Sequence, residues 1–124
     1  IDSFDVLALM AGRQFILPGG GWLVVGRDEK DNNQLTEFKQ DDDILFCMDD
    51  HPGPTALLRR TASLYREHDK LLGDMEFARG LVVRYARKVD GVHQPQTVQV
   101  HRGDSVDKVL TPPLDDEVFG DWLL

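Results

Sequence analysis

The apolar residues of this chain come in short runs, none longer than six residues, most of them stopped by Gly, Pro or a charged residue. That spacing excludes a membrane-spanning helix, which needs roughly 20 consecutive apolar residues. It favours short strands joined by tight turns. Val6 to Met10 and Gln14 to Leu17 are the first two runs, and Pro18-Gly19-Gly20-Gly21 between Leu17 and Trp22 is a hairpin signal. Trp22 to Val25 reads as the returning strand, ended by Gly26. Asp28 can cap a helix from about Glu29 to Gln40, whose acidic first turn (Glu29, Asp31) suits the helix dipole and whose narrow apolar face is Leu35 and Phe38. Ile44 to Met48 reads as a buried strand after the acidic run Asp41-Asp42-Asp43. Asp49 to Pro54 must turn, because two prolines and a glycine permit little else.

Thr55 to Leu58 resumes a strand, and Arg59 to Leu72 carries no clear period. From Gly73 or Asp74 to Lys88 the pattern is helical: Met75, Ala78, Val82 and Tyr85 recur at spacings of three and four. After an Asp90-Gly91 turn, Thr97 to His101 alternates as a half-buried strand does, and Val106 to Leu110 can pair with it before Pro112-Pro113. The closing Val118 to Leu124 reads as an element packed back on the core. The expected class is α+β, a mainly antiparallel sheet with two principal helices in one compact domain spanning residues 1–124. The 124-residue length supports such a core without metal or disulfide staples. Starting at Ile1 with no signal-peptide pattern, the chain is expected to be the C-terminal domain of a larger, cytoplasmic protein.

The net charge of −8 is uneven. Residues 57–90 hold eight basic and five acidic side chains, while residues 1–56 hold four and eleven and residues 91–124 two and six. On a helix running to Lys88, Arg84, Arg87 and Lys88 fall within an arc of roughly 100°, flanked by Arg79 and opposite the Met75/Ala78/Val82/Tyr85 stripe. Such an arc is either a solvated face whose cations suit the helix C-terminus or a ridge that contacts phosphates.

Three constellations could carry chemistry. In Gly26-Arg27-Asp28-Glu29-Lys30-Asp31-Asn32, Arg27 projects from a strand-to-helix corner, where it can fork onto a phosphate or carboxylate beside exposed helix amides. Equally, Arg27 can pair with Asp28 or Asp31 while Asn32 braces the loop. The glycine spacing fits neither a Walker loop nor a dinucleotide fingerprint. The turn Asp49-Asp50-His51-Pro52-Gly53-Pro54 stiffly presents His51, as an ordinary surface imidazole or as a hydrogen-bonding or acid/base group. The lone Cys47 reads as an inert thiol in an apolar strand, or as a nucleophile if it points away from the core toward His51. Neither His51 nor His68, His93 and His101 follows a ligand spacing, so no metal is expected; nor is a cofactor, and no catalytic set emerges.

Two of these segments, in this order, resemble the NFACT-R (NFACT RNA-binding) domain. Trp22-Leu23-Val24-Val25-Gly26-Arg27-Asp28 with Asn32 and Leu35 is similar to that family's strand followed by Gly-Arg-Asn/Asp and an Asn. Asp43-Ile44-Leu45-Phe46 and Pro52-Gly53 are similar to its second block. The chain has Leu45 and Cys47 where ribosome-quality-control members have Trp and His, and Pro54 and Thr55 where they have Ser and His. Its wording is closer to a bacterial subgroup in which the domain follows a PP-loop ATPase of the tRNA-thiolation type. The resemblance implies RNA binding, of tRNA above all, in support of that ATPase. Residue by residue it marks Gly26, Arg27, Asp28, Asn32, Pro52 and Gly53. Joined to the basic arc and the stiff turn, it gives the candidate RNA-contacting set: Arg27, Arg84, Arg87 and Lys88 on phosphates, with Asn32 and His51 near the groove. A structural adaptor docking on the parent ATPase, or Cys47 and His51 completing a composite catalytic site, are the alternatives.

Overall fold

The computed structural model describes residues 10–123. The expected run Val6–Met10 falls, apart from Met10, outside them. The elements in order are β1 (Arg13–Ile16), β2 (Trp22–Val25), α1 (Glu29–Phe38), β3 (Ile44–Met48), β4 (Ala56–Arg59), α2 (Thr61–Leu64), α3 (His68–Tyr85), β5 (Gln96–Arg102), β6 (Ser105–Thr111) and α4 (Asp116–Phe119). The six strands form one antiparallel sheet in the order β1-β2-β4-β3-β5-β6.

The central strands are apolar on both faces because both are covered. Leu23, Val25, Ile44, Phe46, Ala56 and Leu58 point to one side, where they meet Leu71, Met75, Ala78, Leu81 and Val82 of α3. Val24, Leu45 and Leu57 point to the other, where Leu35 of α1 covers them. At β3 the alternation is hidden, since a strand buried on both faces reads as an unbroken apolar run. The α1 boundary was legible: the Asp28 carboxylate accepts from the Asp31 amide, as an N-cap should.

The hairpin at Pro18–Gly21 forms, and α3 fastens it. The Asp74 carboxylate, buried on α3, accepts from the Gly19 and Gly21 amides at 2.8 and 3.0 Å and from the Tyr65 hydroxyl at 2.5 Å. Burial, helped by this carboxylate, lifts the Tyr65 pKa far above the ordinary phenol range. Because the folded value is raised, the contribution is complete below the unfolded value and is lost only as strong alkali is approached. The 295 nm absorbance of the native protein and of Tyr65→Phe should therefore rise by the same amount up to pH 11; a larger rise in the unmodified chain would contradict this.

Two expectations need correction. The helix α3 begins at His68, a turn and a half before Gly73, and ends at Tyr85 rather than Lys88. It starts early because Leu71 extends the buried stripe by one turn, although no capping side chain marks Glu67. It stops early because Ala86 turns extended and the next amide, that of Arg87, donates to the Pro52 carbonyl at 3.0 Å. The good helix formers Ala86, Arg87 and Lys88 are thus overridden by a tertiary contact.

The face of α3 expected to be solvated is also partly covered. Leu114 packs beside Gly80 and its amide donates to the Gly80 carbonyl. Phe77 meets Trp122 edge-on at 4.8 Å, and Arg84 pairs with Asp116 at 2.8 Å. The closing segment does return to the core: Phe119 is buried, and the Trp122 carbonyl accepts from the Ile16 amide at the edge of β1.

Candidate nucleic-acid interface

At one end of the sheet, β2 must turn into α1 within a few residues. Gly26 allows this because a Cβ there would lie 2.2 Å from Asn32 Oδ1. That oxygen accepts from the Thr55 amide at 2.9 Å, and the Gly26 amide donates to the Thr55 carbonyl at 2.8 Å. Asn32 therefore clamps the strand-to-helix corner to the segment that enters β4. Gly53 makes a second close approach, since a Cβ on it would lie 2.9 Å from the Ala86 Cβ. The two motif blocks and the exit of α3 are thereby drawn together.

Between them lies an open cleft of about 570 Å³, lined by Arg13, Gly26, Arg27, Asp28, Glu29, Asn32, the Pro52-Gly53-Pro54 turn, Tyr85 and Arg87. The Arg27 side chain is 52% exposed. Its Nε donates to Asp31 at 2.8 Å, its amide donates to the same oxygen, and a terminal nitrogen donates to the Met10 carbonyl. Hydrogen bonding from Arg27 holds the Asp31 carboxyl below the usual aspartate range. A lowered folded value means this brace is intact at neutral pH and fails only as acid approaches that depressed pKa. Arg27 thus makes the expected pair with Asp31 and still presents the rest of its fork to the cleft. Arg13 lies over the Tyr85 ring at 4.7 Å, and among the described residues the Arg87 guanidinium has no ion-pair partner.

The structure separates the rest of the expected set from this cleft. His51 does not line it; its Nε2 lies 2.6 Å from the Arg87 carbonyl, so it braces the segment that carries Arg87. Arg84 is turned to Asp116 and to His93 Nε2, and neither it nor Lys88 lines the cleft. The arc of Arg84, Arg87 and Lys88 does not exist as one helix face, because the helix has ended before Arg87. Arg59, part of the basic middle third, is buried against Asp43 and over the Trp22 ring.

Arg13 and Tyr85 joined the cleft without having been expected there. A signal for Arg13 was available: the hairpin register pairs it with Val25, immediately before Gly26. Tyr85 was read as a core residue, and its ring does touch Phe15 and Phe119, but the residue also lines the cleft.

Cys47 faces the side of the sheet away from α3, half-buried, with Gln99 Oε1 and His101 Nε2 each 3.7 Å from its sulfur. Its expected neighbour His51 is engaged elsewhere. Burial and the nearby Asp49 carboxylate push the thiol pKa up, which is the wrong direction for a nucleophile. Alkylation by iodoacetamide at pH 8 should accordingly be slower in the folded chain than in urea; equal rates would contradict the burial. Among the described residues, no group of three His, Cys, Asp or Glu is placed to hold a metal, and no helix is long and apolar enough to cross a membrane.

A family model, described as the NFACT protein RNA binding domain, matches residues 12–123. The chain belongs to this family. NFACT RNA-binding domains are thus the frame for the cleft, which is built from the Gly26–Asn32 and Pro52–Gly53 segments that carried the resemblance. Among curated protein sequences none matches this NFACT domain significantly. Among solved structures it is similar to the C-terminal part of the fibronectin/fibrinogen-binding protein from Streptococcus suis, with a TM-score of 0.68 at 14% identity. The match covers 91% of this chain and 50% of that one, so this NFACT domain spans half the length of that structure. At such low identity the likeness concerns the fold.

Proposed function

We propose that this domain binds RNA, and specifically tRNA, through the cleft between the β2–α1 corner and the Pro52–Pro54 turn. It would act in the bacterial cytoplasm as the accessory domain of a PP-loop ATPase of the tRNA-thiolation type, carried N-terminally on the same chain. The observation that carries the reading is convergence: Arg13, Arg27 and Arg87, from three separate parts of the chain, line the one cleft that the family-like segments build. Guanidinium forks suit phosphate oxygens, and the first turn of α1 opens on the same space.

The charge balance supports a supporting role. Asp28 and Glu29 share the cleft with the three arginines, and Asp31 already engages Arg27. A site so balanced attracts polyanions weakly, which fits a contact made beside a larger enzyme better than autonomous high-affinity binding. The test is tRNA affinity by fluorescence anisotropy at low salt. Arg27→Ala should weaken binding roughly tenfold, the value of one charge-assisted contact. Lys88→Ala, outside the cleft, should leave it unchanged. Equal losses in both variants, or no binding by the unmodified chain, would overturn the reading.

A further inference from the structure

The same cleft carries information about which part of an RNA it accepts, and this inference rests on the reading above. We propose that it takes an unpaired nucleotide, with the base stacked on the Arg13 guanidinium and its phosphate on Arg27 and Arg87. Arg13 and Tyr85 form a layered platform: the guanidinium carbon lies 4.7 Å from the centroid of the ring. The ring is itself held, with Phe15 at 6.3 Å and Phe119 at 5.9 Å between centroids. A platform fixed from below loses little freedom when a base lands on it. One face of Arg13 is on the ring and the group lines the cleft, so the outer face is the one a planar base can reach.

Size and charge agree with this. A cleft of about 570 Å³ matches a ligand of one or two nucleotides and is far too small to admit a double helix. In a paired base both faces are stacked and hidden, whereas an unpaired base offers one to an arginine or aromatic plane. Asp28 and Glu29, which also line the cleft, offset the polyanion attraction that would favour any duplex backbone. Recognition therefore leans on stacking and on a few directed hydrogen bonds. With one phosphate held between two arginines, the slope of log affinity against log salt should be shallow, about −0.7.

The experiment uses a mixed-sequence RNA 12-mer, alone and annealed to its complement, with 2-aminopurine at a central position of the single strand. The native chain should bind the single strand at least tenfold more tightly than the duplex and, at saturation, raise the 2-aminopurine fluorescence, because the base leaves the quenching stack of its neighbours for a guanidinium that does not quench it. Arg13→Lys keeps the charge and loses the plane, so it should lose roughly tenfold in single-strand affinity, the worth of one stacked base. It should also lose the fluorescence rise at saturation, with the salt slope unchanged. Duplex bound as tightly as single strand, or a full fluorescence rise in Arg13→Lys, overturns the stacking proposal. If Arg27→Ala still weakens either RNA, the cleft remains the RNA interface; if neither RNA binds, the broader reading falls with it.

Discussion

Asp43→Ala should be the most damaging single substitution in this fold, lowering unfolding free energy by about 3–5 kcal/mol, as loss of one partner of a buried ion pair does. Asp43 and Arg59 are each 1% exposed and meet at 3.2 Å. The carboxylate also accepts from the Gln40 and Arg60 amides, both at 2.8 Å. It therefore organises the approach to β3 and the exit from β4 as well as the guanidinium between them. Alanine would remove the Asp43 carboxylate from the buried arginine and leave two amides without their acceptor. Urea unfolding of Asp43→Ala, of Arg59→Met and of the double variant measures this. The double variant should be less destabilised than the sum of the singles, because the second change removes the charge that the first exposed. A loss below about 1 kcal/mol in Asp43→Ala would place the pair in the surface class, where ion pairs contribute little.

Gly26→Ala should be second, at about 2–4 kcal/mol, combining overpacking with a broken buried hydrogen bond. The new methyl would overlap Asn32 Oδ1, and the contact that must give is the one to the Thr55 amide. Loss of that clamp separates the two walls of the cleft, so RNA affinity should fall in the same variant. Asn32→Asp separates the two effects. A carboxylate oxygen still accepts from Thr55, so stability should change by less than about 1 kcal/mol. The added negative charge should nevertheless weaken RNA binding severalfold. Unchanged stability in Gly26→Ala would mean the corner has room that its geometry denies.

Much of this fold was readable because local signals and tertiary needs coincide. The triple glycine after Pro18, the Asp28 cap and the β3 run between Asp43 and Asp49 each specify their element within a few residues. The ends of α3 were not readable, because both are set from a distance. Leu71 extends the helix by packing on the core, and Pro52 ends it by accepting the Arg87 amide. From that displacement follows the fate of the basic ridge. Helical geometry gathers Arg84, Arg87 and Lys88 on one side only if the helix persists, and it stops at Tyr85.

Arg59 illustrates a different limit. Its place in the sequence resembles any charged residue closing a strand, and only the return of Asp43 and Trp22 in space shows that it is interior. The motif itself was the better guide: Arg27 and Asn32 occupy the cleft, and the residue counts that pointed to the middle third did not locate it. Net charge had to be divided by space rather than by sequence. Once it is, three arginines from distant positions share one opening, and most of the middle third's excess lies outside it.

Amide chemical-shift mapping with ¹⁵N-labelled protein and a short single-stranded RNA tests the assignment of the cleft most directly. The largest shifts should fall on Gly26 to Asn32, Gly53, Thr55, Ala86 and Arg87, with Arg84, Lys88 and the Cys47 face of the sheet little moved. Shifts centred on Arg84, His93 and Lys88, with the Gly26 corner unaffected, would contradict it.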